Sequence, residues 1–184
     1  HIDSAPGEGT TVTCIFPASQ CKILDYNRVV KDLNGLTPEQ LIESLKADFD
    51  VSVHGKDPFK PAQPRDFGMY LRGTWYKLTS KPGTYTTDPI GILDVTILSN
   101  NALDKILGIK DQRTDKRVDF VGGIRGMGAL QHRVDSGDME VAFSLYPVTM
   151  DQIFDIADSG NVMPPKSTRF EPKLRDGLPT HLIY

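Results

Sequence analysis

Val118-Asp119-Phe120-Val121-Gly122-Gly123-Ile124-Arg125-Gly126-Met127-Gly128 reads as a β-strand running into a glycine-rich turn and then a helix. The turn opens a helix through Ala129 to Val134, ended around Ser136-Gly137, and a second strand follows at Met139 to Tyr146, stopped by Pro147. Thr149 and Gln152 then form a capping box for a last helix to Asp158, with Met150, Ile153, Phe154 and Ala157 as its apolar stripe and Gly160 as the left-handed residue beyond its end. Strand, helix, strand, helix predicts a C-terminal βαβα unit packed on one sheet. Were its two strands neighbours in parallel, the glycine turn and the segment after the last helix would face one cleft.

Working towards the N-terminus, Asp94 to about Leu107 carries Val95, Leu98, Ala102, Leu103, Ile106 and Leu107 at helical spacing, with Asp94 as cap and Gly108 beyond the end; Asn100-Asn101 weaken the pattern. Phe67 to Leu71 and Thr74 to Thr79 are aromatic-rich strands joined through Arg72-Gly73, with Trp75 and Tyr76 on opposite faces. Asp57 to Pro64 holds three prolines and is a loop, and Val51 to Val53 suits a short strand. Thr37-Pro38-Glu39-Gln40 is a capped helix start, followed by the stripe Leu41, Ile42, Leu45 and Phe49. Thr10 to Phe16 and Gln20 to Tyr26 suit an antiparallel hairpin about Pro17 to Gln20, closed by Tyr26-Asn27-Arg28, while His1 to Gly9 reads as a disordered or surface entry. The expected fold class is α+β: a mixed sheet with N-terminal antiparallel hairpins, helices packed on it, and the βαβα unit, all in a single domain spanning 1–184.

The chain of 184 residues is long enough for one substantial core, and its net charge of −3 disfavours a surface built to hold nucleic acid. Charge is uneven. Lys105 to Arg133 holds seven cations and three Asp, which reads either as a solvated face or as a binding patch. No apolar run nears the roughly 20 residues of a membrane span, and no secretory signal is visible, so a cytoplasmic protein is expected. The chain begins at His1 without an initiator Met, which reads either as a processed polypeptide or as an excised part of a longer protein. Cys14 and Cys21 read as reduced packing residues, because a hairpin would offset them diagonally, and the four His are scattered singly, so no metal site is expected.

The chemistry-bearing segment is Met163-Pro164-Pro165-Lys166-Ser167-Thr168-Arg169-Phe170-Glu171-Pro172-Lys173. Its prolines fix φ and remove amide donors, giving a stiff extended loop that limits the geometries of its cations and hydroxyls. Lys166, Ser167, Thr168, Arg169 and Lys173 are therefore candidate anion ligands. Arg125 and Gly126 join them through the glycine turn, where backbone amides approach an anion at a helix start. Neither the Gly-Lys-Ser/Thr ending nor dinucleotide spacing is present, and the glycines equally suit tight turns. Arg28, at the strand exit, is the third candidate, with pairing to Asp25 or Asp32 as its alternative. His132 is the one histidine near the expected cleft, and no catalytic base or cofactor is assigned.

Leu24-Asp25-Tyr26-Asn27-Arg28-Val29-Val30, Leu93 to Leu98 with Leu107-Gly108-Ile109, and above all Met163 to Thr168 with Phe170-Glu171-Pro172-Lys173 and Gly177-Leu178 resemble the C-terminal portion of the bacterial and archaeal family known as domain of unknown function 1015. Longer members carry an upstream Asp-Gly-His-His-Arg motif similar to that of ParB-like and sulfiredoxin-like nucleotide-binding domains, which does not occur here. The resemblance implies nucleotide or phosphate chemistry, in serine or phosphoserine metabolism by analogy with serine kinases of that superfamily. This chain would then supply part of the site, with the upstream portion as its partner and a small anion as its ligand. The other reading is a non-catalytic structural or interaction domain in which the proline-rich segment is a clasp.

Overall fold

The computed structural model describes residues 2–5, 9–12, 17 and 20–171. It divides into two compact units, Ile23–Arg169 and a smaller one made of His1–Lys22 with Phe170–Tyr184. In the smaller unit, β1 (Ile2–Ala5) pairs antiparallel with β2 (Gly9–Val12). Ile2 to Ala5, within the segment expected as an entry, is thus a strand, and Thr10 to Val12 pairs antiparallel with its residues. Thr13 to Phe16, including Cys14, lies outside the described residues, and Cys21 is half-buried. Lys22–Leu24 (β3) is a short strand that ends before the buried Asp25.

The larger unit is built on β4 (Tyr26–Val30), β5 (Phe49–Gly55), β6 (Asp66–Leu71), β7 (Thr74–Ser80), β8 (Val118–Gly122) and β9 (Val141–Leu145). They form one six-stranded sheet in the order β5-β7-β6-β9-β4-β8, and every neighbouring pair is antiparallel. The α+β class stands, and so does the strand, helix, strand, helix order at its C-terminal end. The expected parallel contact does not. β4 lies between β8 and β9 and pairs antiparallel with both, so those two strands run the same way one place apart. A continuous apolar run at Val29-Val30, buried on both faces, is what suits β4 to that central position.

The helices are α1 (Pro38–Leu45), α2 (Asp94–Leu98), α3 (Gly126–Asp135) and α4 (Met150–Asp158). Both expected capping boxes form, Thr37 with Gln40 and Thr149 with Gln152. The alternation along each strand sorts side chains onto two faces. Val30, Phe67, Met69, Leu71, Val141, Phe143 and Leu145 form a large core with Leu41, Leu45, Val95, Leu98 and Ile156 of α1, α2 and α4. Val29, Tyr70, Trp75, Val121 and Ala142 pack on the other face with Leu130 of α3. The result is helices on both sides of one sheet.

Two helix expectations change. On α4 the buried face is Ile156, with Ile153 against the core, while Phe154 is 51% exposed, so the helix is rotated from the expected stripe. After Leu98 the chain widens into a π-helical turn over Ser99–Asp104, and Asp94 is no cap. Its buried carboxylate instead accepts the Arg65 backbone N–H at 2.8 Å, and Leu93 holds the cap position without a side-chain bond. Within this turn the buried Asn101 side-chain amide donates to the Thr84 carbonyl at 2.9 Å. Gly108, at φ +69°, closes this segment: its N–H donates to Asp104 and that of Ile109 to Leu103.

Candidate functional site

Arg28 lies inside β4, not at a strand exit, and is 1% exposed. Period-two alternation puts it on the same face as Val30, opposite Phe143 on β9 and Phe120 on β8. Its Nε donates to Gln112 Oε1 at 3.1 Å, one Nη to the Tyr26 carbonyl, and the other Nη to the Lys166 carbonyl at 3.1 Å. The guanidinium carbon stands 5.1 Å from the centre of the Phe120 ring. Neither expected acid pairs with it: Asp25 faces Asn27 and, at 3.9 Å, Lys60, while Asp32 pairs with Arg117 at 3.4 Å. Among the described residues no carboxylate forms an ion pair with Arg28. Burial pushes its pKa down to about 10, against a smaller upward pull from Tyr26, so it remains cationic at neutral pH.

This uncompensated cation borders a cleft of about 420 Å³. One wall is helical, with Val95 and Thr96 from α2 and Ser99 and Asn100 from the π-helical turn. The opposite rim is the segment Lys110 to Arg113, and Ile90, Pro164 and Pro165 add apolar surface. Gln112 ties these walls together, accepting from Arg28 and donating through Nε2 to Ser99 Oγ at 2.9 Å. At the mouth, Arg113 grips Asp111 through Nε at 3.0 Å and Nη2 at 2.9 Å, holding the Asp111 carboxyl below its ordinary pKa. Lys110 is exposed and makes no ion pair among the described residues. The Thr96 hydroxyl oxygen is buried without a hydrogen-bond partner among the described residues.

The proline-rich segment therefore reaches the cleft, though by its prolines rather than its hydroxyls. Lys166 adopts φ +55°, offers its carbonyl to Arg28, and carries its ammonium 5.9 Å from the centre of the Tyr26 ring. Ser167 is 3% exposed and spends its hydroxyl on the Pro164 carbonyl at 2.6 Å, closing the turn. Thr168 is half-buried, and Lys173 lies outside the described residues. Arg169 bears on the glycine turn so closely that a Cβ at Gly122 would stand 2.8 Å from its Nη1. The two bends do meet there. They do not form an anion cradle, because Gly123 is covered by the Asp25 carboxylate and donates its N–H to the Asp25 carbonyl at 2.8 Å. Arg125 and Gly126 are exposed at the start of α3, and neither they nor His132 line the cleft.

Sequence reasoning missed Thr96, Ser99, Asn100, Lys110, Gln112 and Arg113. The available signal was the Asn100-Asn101 break in the helical pattern, which marks the widened turn, and the polar run that follows Gly108.

Comparison with known proteins bears on this arrangement. Residues 6–96 match the family model described as a protein of unknown function, DUF1015. The DUF1015 match, just under half the chain, takes in β4 with Arg28 and reaches Thr96, whereas the proline-rich segment lies beyond it. No curated protein sequence matches. Among solved structures, two variants of a free serine kinase in complex with AMP superimpose with TM-scores of 0.51 and 0.52 at 13% and 15% identity. A conserved hypothetical protein from Pyrococcus furiosus superimposes at 0.48 with 16% identity, covering 82% of this chain and 56% of its own. The alignments with the kinase variants cover 88% of this chain and 58% of the kinase, so this chain spans little more than half of that enzyme's length. At these identities the likeness is one of fold. No helix among the described residues is long and apolar enough to cross a membrane.

Proposed function

We propose that the cleft beside Arg28 binds the phosphate or carboxylate group of a small metabolite or nucleotide, as part of an enzyme site. The observation that carries this reading is a buried guanidinium with no carboxylate partner among the described residues on the wall of an open cleft. Among the described residues only three of its five N–H groups are engaged, which leaves donors for an acceptor. An unpaired buried cation is costly, and a bound anion relieves that cost. Lys110 adds positive charge at the rim, where Arg113 is paired with Asp111. The apolar surface of Ile90, Val95, Pro164 and Pro165 suits the uncharged body of the ligand.

The fold shared with a free serine kinase that binds AMP supports a nucleotide or phosphoserine as the finer choice. The rest of the site is then contributed by an upstream portion of the kind found in longer family members. The test is titration calorimetry of the 184-residue chain with AMP, ADP, phosphoserine and inorganic phosphate, repeated with Lys110→Ala and Arg113→Ala. Binding that weakens in both variants supports the reading, and no heat from any of the four removes it.

A second reading rests on the bonds Arg28 does make. Its grip on the Tyr26 and Lys166 carbonyls is that of a strut clasping the proline-rich segment to β4. Failure of all four ligands, with loss of folding in Arg28→Met, would favour this structural role.

A further inference from the structure

Hydrogen-bond direction along the cleft wall is fixed by Arg28, which has only donors. Because its Nε points at Gln112, the Gln112 side chain must present its oxygen there; a flipped amide would set two donors against each other. The Gln112 nitrogen therefore faces Ser99 and donates to its Oγ at 2.9 Å. Ser99 is thereby cast as acceptor towards the protein, and its own proton is directed elsewhere. It donates to no group among the described residues, although a serine on a helix commonly donates back to a carbonyl of the preceding turn. Thr96, three residues earlier and therefore on the same helix face, has a buried hydroxyl without a partner among the described residues and lines the same cleft.

Resting on the anion-cleft reading above, we infer that Ser99 and Thr96 are hydroxyl donors to the bound anion and that Gln112 is the positioning residue that orients Ser99 from Arg28. The site is then a set of donors from β4, α2 and the π-helical turn that follows it. That is the pattern suited to a phosphoryl group, whose several oxygens accept from separate directions, rather than to a carboxylate held by Arg28 alone. The expected ligand class is a phosphate monoester with an apolar or planar body.

The experiment compares binding of AMP, inorganic phosphate and acetate by wild type, Ser99→Ala, Ser99→Thr, Thr96→Val and Gln112→Met, with thermal unfolding of each. Ser99→Ala is expected to weaken AMP about tenfold, the scale of one hydrogen bond to a charged group, with an unchanged unfolding midpoint. Ser99→Thr, which keeps the hydroxyl, restores binding. The double variant Ser99→Ala with Gln112→Met should lose less than the sum of the single losses, because Gln112 acts through Ser99. AMP binding by Ser99→Ala equal to wild type, additive losses, or acetate bound as tightly as phosphate overturns the inference while leaving an anion cleft at Arg28. A wild type that binds none of the three overturns the cleft itself.

Discussion

The Arg28 guanidinium donates to the main-chain carbonyl of Lys166, 138 positions further along the chain, at 3.1 Å. One side chain inside a central strand thus fixes the path of the proline-rich segment. Replacing it with lysine keeps the charge but offers a single nitrogen, which cannot serve Gln112, Tyr26 and Lys166 together. Arg28→Lys should lower stability by ~2–4 kcal/mol, because buried acceptors lose their donors. Urea denaturation measures this, and protease cutting near Lys166 should accelerate in the same variant.

Asp94 sets an acid limb in the opposite sense to the usual one. Burial raises its pKa from 3.8 to about 7, and the Arg65 N–H and the Arg65 charge only partly oppose that shift. Below the unfolded value both states are protonated. As pH rises from 3.8 towards 7, the unfolded chain releases this proton while the folded chain retains it, so this group's contribution to stability falls across that window. Asp94→Asn keeps an oxygen for the Arg65 N–H and removes the ionisation. It should flatten the slope and be more stable than wild type at about pH 8 by ~1–3 kcal/mol, as read from denaturation midpoints at a series of pH values. A parallel slope in the variant would assign the pH dependence to other groups.

Gly68 sits in the middle of β6 with the chain pressed against it. A Cβ there would meet the Ser144 hydroxyl and stand 2.8 Å from the Phe59 carbonyl, and Ser144 itself donates to that carbonyl at 3.1 Å. The carbonyl is backbone and cannot rotate away, so Gly68→Ala should cost ~1–3 kcal/mol by overpacking. Hydrogen exchange should report the damage locally, in the loop around Phe59, before the sheet itself opens.

Salt separates the rim of the cleft from its floor. Lys110 and Arg113 are exposed, so whatever they add to anion affinity should fade as ionic strength rises, while the buried Arg28 term persists. AMP affinity in Lys110→Ala should fall about two- to fivefold at low salt and converge on wild type near 1 M, where screening acts within about 3 Å. Affinities measured across a salt series decide it.

Local patterns in the sequence settle most of the elements. Thr37 with Gln40 and Thr149 with Gln152 announce their helices because a capping box satisfies backbone donors within four residues. Arg72-Gly73, with φ of 49° and 77°, marks the β6–β7 hairpin because only a turn of that hand follows the twist of the strands. The rotation of α4 was not legible, since Phe154 and Ile156 are equally apolar and only the surface beneath them chooses between the two.

From its sequence alone this protein is an α+β chain with a cation-bearing, proline-stiffened segment and a DUF1015-like stretch around Arg28. The strand order, and with it the site, belongs to the tertiary structure. β4 inserts between β8 and β9, burying Arg28 beside a π-helical turn and the Lys110 to Arg113 segment, none of which neighbours it in sequence. Spacing along the chain encodes which face a residue takes on its own element. It carries no record of which distant element will lie opposite, because that is decided by how all the apolar faces are buried at once.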